Sequence, residues 1–141
     1  GVAKVVLEHS QYKNRYKAFG FMTAVAMKMA SGAAQIVITR AGSGAIFEVA
    51  SWGLPSIVIP IPEQISHDQV KNAYSYARAG GCVVIEEKNL TPHILEQEIE
   101  RIMNTKELRD SLKAGAHTFA QPDAAMKIAR VILSVALEHE R

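Results

Sequence analysis

Three short apolar runs constrain this chain more than any other feature: Gln35-Ile36-Val37-Ile38, Ser56-Ile57-Val58-Ile59-Pro60-Ile61 and Cys82-Val83-Val84-Ile85. Each run is continuous rather than alternating, the pattern of strands buried on both faces. Segments of helix length separate them, giving the order strand, helix, strand, helix, strand. That order predicts an α/β fold, a Rossmann-like parallel sheet flanked by helices and joined by right-handed crossovers. At 141 residues the chain is long enough for one domain with a core and too short for two.

Local punctuation places the helices. The helix after Ser43 is expected to end at Trp52, because Gly53 can take the left-handed position past the last turn and Pro55 forbids continuation. The next, from about Ser66, stops at Gly80-Gly81 for the same reason. Thr91-Pro92 reads as an N-cap with proline at the first helical position, and Ile94, Leu95, Ile99 and Ile102 recur at helical spacing. Thr105 is expected to cap a short helix through Leu112, and Pro122 to open the last helix. Upstream, Val2 to Leu7 reads as a strand and Met22 to Ala34 as a helix with a Met and Ala face. No internal repeat, low-complexity tract or linker divides residues 1–141, which read as a single domain.

Composition excludes several function classes. Sixteen basic against fourteen acidic side chains give a net charge of +2, too weak a bias to attract nucleic acid, and the few aromatics do not interleave with basic residues as base stacking would require. The apolar segment from Ala124 to Leu137 is interrupted by Lys127 and Arg130 and falls short of the roughly 20 residues that span a bilayer. No signal peptide is visible, and Gly1 in place of a starting Met reads as the end of a processed or excised piece, or equally as a tag scar. The lone Cys82 cannot form an internal disulfide, so a reducing compartment is expected. Metal chemistry is poorly supported, since the three aspartates, Asp68, Asp110 and Asp123, form no Asp-x-Asp pair and there is no His-x-x-x-His or Cys cluster. A Ser43 nucleophile does not match G-x-S-x-G, and no catalytic residue is assigned in this chain.

The candidate chemistry lies in two loops. Thr39-Arg40-Ala41-Gly42-Ser43-Gly44-Ala45-Ile46-Phe47-Glu48 leaves the first apolar run and opens a helix. Ligands of open parallel sheets bind beyond the carboxyl ends of the strands. Glycines there admit a diphosphate close to the backbone, and the free amides and dipole of the helix start at Ser43-Gly44-Ala45 favour negative charge. A tight turn that merely needs small residues would look the same. Glu48 follows Gly44 by one helical turn, and its side chain leans back toward the loop, where a carboxylate could accept from both hydroxyls of a ribose. It could equally be a solvated surface acid, although Ile46, Phe47, Val49, Ala50 and Trp52 leave little polar face on that helix. The second loop runs from Pro60 to Gln69 and converges on the same sheet edge. In it Asp68 and Gln69 could hold sugar hydroxyls, or Asp68 could complement the helix dipole, while His67 reads as ordinary surface.

Together R-A-G-S-G-A-I-F-E, W-G-L-P-S-I-V-I-P-I-P and H-D-Q-V-K-N-A resemble the C-terminal domain of glycosyltransferase family 28, from about Phe19 to the C-terminus. The resemblance implies the donor-binding half of a GT-B enzyme that moves N-acetylglucosamine from UDP-N-acetylglucosamine to lipid I in peptidoglycan synthesis, inverting, with no metal or other cofactor. It places the backbone amides of Ser43, Gly44 and Ala45 at the diphosphate and Glu48 at the ribose, with Gly42, Ile46 and Phe47 also among the substrate-binding residues. Gln69 and the neighbouring Asp68 fall beside the sugar, and Asn72 holds the helix. Arg40 takes the family's arginine position, supporting the loop or the phosphates. Phe21-Met22 matches the pair that packs on uracil, with Phe19 as a rival. The family's opening strand and Gly-Gly-Ser-Gln-Gly loop have no counterpart in this sequence. The resemblance therefore implies a domain without its first strand, that strand coming from different pairing, a homo-oligomer or a partner chain. It further implies a lipid-linked acceptor bound through a separate N-terminal domain, and a cytoplasmic enzyme peripheral on the inner face of the plasma membrane. Two alternatives stand beside it: a non-catalytic UDP-sugar-binding subunit of a split transferase, and a UDP-sugar epimerase relative of the same architecture.

Overall fold

The computed structural model describes residues 13–139. The chain divides into two compact units, residues 1–30 and 31–141. The first carries a 3-10 turn, Lys13–Arg15, and most of helix α1, Ala24–Ala33. Thr23 opens that helix, its hydroxyl accepting from Ala26 N at 3.3 Å. The expected strand at Val2–Leu7 lies outside the described residues.

The second unit holds the sheet. Strands β1 (Val37–Thr39), β2 (Ser56–Val58) and β3 (Cys82–Val84) alternate with helices α2 (Ser43–Trp52) and α3 (Gln69–Arg78). A 3-10 turn (Glu87–Asn89) follows, then α4 (Pro92–Asn104), α5 (Lys106–Phe119) and α6 (Ala124–His139). The strands lie in the order β1-β2-β3, all parallel, with Ile38 opposite Ile57 and Ile57 opposite Val83. Strand β2 is shorter than its apolar run because Pro60 has no N–H to give a ladder. Single bonds still extend the pairing, from Ile59 N to Thr39 O at 2.8 Å and from Ile85 N to Val58 O at 3.0 Å.

Of the three expected doubly buried strands only the central β2 is buried throughout, feeding a core on each face; β1 and β3 lie at the edges of the described sheet and are partly exposed, Ile38 by 43%. On one face Val58 packs with Ile46, Ala50, Ala73, Tyr76, Cys82 and Ala116, so that α2, α3 and α5 share a core. On the other, Ile57 and Ile59 meet Ile85, Ile102 and Leu112, drawing in α4 and α5. Cys82 is buried here and its thiol, pushed up to about 12 by burial, behaves as a small hydrophobe.

The helix ends follow the punctuation in part. Gly53 closes α2 at φ +64°, its N–H bonded to Ala50 O at 3.0 Å, and a Cβ there would also come within 2.5 Å of the His117 ring. Thr91 caps α4, its hydroxyl accepting from Ile94 N at 3.2 Å, with Pro92 at the first position. Helix α3 starts at Gln69 rather than near Ser66, because Ile65 N and Ser66 N both turn back to Pro62 O. Helix α5 does not stop at Leu112 but runs on to Phe119. Gly115 in its last turns is there for close approach, as its Cα lies 3.8 Å from the position a Cβ would take on Gly80. Helix α6 begins at Ala124, after a turn at Gln121, and its side chains from Ala125 to Glu138 are all exposed.

Candidate functional site

Two loops leave the carboxyl ends of β1 and β2, and the start of α2 lies in the first. Gly42 precedes α2 in an extended conformation (φ −62°, ψ 140°) and no side chain caps the helix. The first bond of the turn runs from Ile46 N to Gly42 O at 3.0 Å, so the amides of Ser43, Gly44 and Ala45 have no partner within the helix. Positive φ occurs only at Gly53 and Gly80 among the described glycines. A Cβ at Gly42 or Gly44 would meet nothing within 4 Å. Neither backbone conformation nor packing therefore requires glycine at these two positions.

Glu48 is exposed on the next turn of α2, with no side-chain partner among the described residues. Phe47 is 46% exposed and stacks on Phe119 at 5.3 Å, and Ser43, Asn72 and these two rings line a cavity of about 180 Å³. Ile46 is buried and anchors the helix start in the core.

The Q-x-x-N string on α3 grips the first loop. Gln69 Oε1 accepts from Ala41 N and from Ile61 N, each at 3.1 Å. Two converging N–H donors fix which end of the amide is oxygen. Asn72 Nδ2 donates to Ala41 O at 3.2 Å, so both polar backbone groups of the fully buried Ala41 are held from one helix face. Asp68 is exposed at the start of α3, its backbone carbonyl accepting from Asn72 N while its side chain makes no capping bond. His67 is exposed in the loop before it.

Arg40 does not point along the loop. Its guanidinium bonds Glu87 Oε2 at 2.5 Å and Ile59 O at 3.4 Å. One side chain thus straps the exits of β1, β2 and β3. Beside it, Pro60, Pro62 and Glu63 face Glu86, Glu87 and Lys88 across a cavity of about 500 Å³. Lys88 and the Tyr74 hydroxyl both bond Glu86, at 2.7 Å, and hold its carboxyl below the usual carboxylate range, the lysine foremost. The same Glu86 contact raises the Tyr74 phenol. Sequence reasoning did not find Tyr74, Glu86 or Glu87. Arg40 and Glu87 are 47 positions apart, and no local pattern announces such a pair.

Met22, assigned to the base by resemblance, is half-buried in the first unit, where Phe19 and Phe21 are exposed. Among the described residues no group of three or more His, Cys, Asp or Glu side chains could hold a metal ion.

The sequence matches the glycosyltransferase family 28 C-terminal domain over residues 2–128. The chain belongs to this family. It is 35% identical over 125 residues to the UDP-N-acetylglucosamine--N-acetylmuramyl-(pentapeptide) pyrophosphoryl-undecaprenol N-acetylglucosamine transferase of Anaeromyxobacter sp. (strain K), covering 85% of this chain and 33% of that protein. The similarly named protein of Mesorhizobium japonicum is 34% identical over 134 residues, 90% of this chain and 35% of its own length. Among solved structures, that of Acinetobacter baumannii MurG matches with a TM-score of 0.71 and 28% identity, over 84% of this chain and 33% of that one. The family 28 domain seen here is the α/β fold expected from the apolar runs, that of the C-terminal domain of a GT-B glycosyltransferase. The chain spans about one third of the length of the relatives it matches. Among the described residues no helix is long and apolar enough to cross a membrane.

Proposed function

We propose that this chain is the donor-binding part of an inverting glycosyltransferase that moves N-acetylglucosamine from UDP-N-acetylglucosamine to a lipid-linked acceptor, lipid I, in peptidoglycan synthesis. The observation that carries the reading is the start of α2. Three amides lie at the positive end of an uncapped helix, beside two glycines that the fold itself does not need. Room left open at Gly42 and Gly44 has a use if a diphosphate sits against the backbone there. As the glycosidic bond breaks, negative charge grows on the departing diphosphate, and donors already aimed at it stabilise the transition state more than the ground state. The backbone amides then do the work that a cation does in other transferases, so the reading calls for no metal. Glu48 accepts from the ribose hydroxyls. Gln69, whose oxygen is committed to Ala41 and Ile61, has its Nε2 to donate to the sugar. The acceptor, and attachment to the inner face of the plasma membrane, belong in this reading to a separate N-terminal domain.

Gly44→Ala tests the cradle against the turn. Alanine meets nothing in the free protein and replaces glycine in the first turn of a helix, so thermal stability should hold or rise, by up to about 1 kcal/mol. UDP affinity, measured by calorimetry, should fall about tenfold, because the methyl occupies the approach of the phosphates. Unchanged affinity would return the glycines to the simple-turn reading.

A second reading is a UDP-sugar-binding part without turnover of its own. Incubation with UDP-N-acetylglucosamine and lipid I separates the two, since lipid II formed without another polypeptide rules out the binding-only reading.

A further inference from the structure

We propose that Gln69 and Asn72 are positioning residues that set the shape of the diphosphate loop by clamping Ala41 from both sides. This rests on the donor-binding reading and adds a cause for the geometry of the cradle. Ala41 is the last residue before the Gly42-Ser43-Gly44 turn, and its side chain is completely buried among Ile46, Val58 and Tyr76. With its Cβ fixed by packing, its peptide groups can still swing. Gln69 stops one of them by accepting from Ala41 N, and Asn72 stops the other by donating to Ala41 O. The direction of the next three amides follows from those two bonds.

Gln69 does a second thing that Asn72 does not. Its one oxygen also accepts from Ile61 N in the second loop, so both loops hang on a single acceptor atom. The i, i+3 spacing matters because it puts both amides on the same face of α3, one turn apart, at the height of the peptide they hold. Neither bond depends on charge, so salt leaves the clamp intact, unlike the exposed Arg40 to Glu87 strap beside it.

The test uses two substitutions of equal charge. Gln69→Glu keeps the acceptor and loses only the amide N–H groups. Asn72→Asp replaces the donor with a carboxylate facing the Ala41 carbonyl. Both add one negative charge beside the same loop, so the difference between them reads the clamp and not electrostatic repulsion of the diphosphate. In calorimetric titrations with UDP, Gln69→Ala and Asn72→Asp should each lose about tenfold in affinity, and Gln69→Glu should lose clearly less than Asn72→Asp. Equal losses in Gln69→Glu and Asn72→Asp would overturn the proposal. Amide exchange in the unliganded chain, followed by NMR, gives an independent measure. Protection of the Ala41 and Ile61 amide hydrogens should drop at least about tenfold in Gln69→Ala and persist in Gln69→Glu. Unaltered protection at both amides in Gln69→Ala would also overturn it. A wild-type chain that fails to bind UDP would defeat the donor-binding reading, and the exchange measurement would then decide the clamp alone.

Discussion

Replacing Gly115 with alanine should destabilise the protein by about 3 kcal/mol or more, a larger effect than most single methyl insertions. The added Cβ would stand 2.2 Å from Gly80 C, 2.3 Å from Gly80 O and 2.6 Å from Ala79 O. All three are backbone atoms, and none can rotate away as a side-chain tip could. The opposing gain, alanine for glycine inside α5, amounts to only about 1 kcal/mol. Sterics therefore win. Gly80 itself sits at φ +77° in the turn between α3 and β3, so the backbone that would have to retreat is already confined to a conformation few residues adopt. In thermal denaturation the midpoint should drop by roughly 10 °C for a chain of this size. A midpoint at or above that of the unaltered protein would show that α5 and the α3–β3 turn can separate at little cost.

Glu48→Ala should weaken UDP binding by about 1.5–3 kcal/mol, on the order of ten- to a hundredfold, without a matching loss of stability. The carboxylate is exposed and has no partner among the described residues, so its removal orphans nothing in the free protein. What disappears is a pair of charge-assisted bonds from the ribose hydroxyls, and solvent screening at an exposed site argues for the lower end of that range. A ligand without those hydroxyls supplies the control. Calorimetry with 2′,3′-dideoxy-UDP should give the same affinity for the wild-type and Glu48→Ala chains. If Glu48→Ala binds UDP as tightly as wild type does, the acid has no role in holding the ribose.

The sequence was most legible where one residue type answers one local demand. Gly53 and Pro55 end α2, Thr91 and Pro92 start α4, and three unbroken apolar runs become a sheet with a core on each face. It was least legible where a residue answers a distant neighbour. The helix expected to stop at Leu112 runs on to Phe119, and only the backbone of Gly80 packed against it accounts for the glycine at 115. Resemblance suggested a sugar contact for Gln69 and left Arg40 open between loop and phosphates. The structure engages the oxygen of the first with two backbone amides and the guanidinium of the second with Glu87. Those partners lie in segments whose proximity only the folded sheet creates.

The two cores of the sheet are not independent. Val58 lies in one and Ile57 in the other, adjacent on the same strand, and α5 places Ala116 in the first and Leu112 in the second. A perturbation that loosens either face must pull on a strand and a helix that the opposite face also uses. The sheet with α2 to α5 should accordingly melt as one cooperative block, with the slowest-exchanging amides of β2 and α5 opening together at the free energy of unfolding of that block. The loops that carry the candidate site are then mounted on a frame with no soft half.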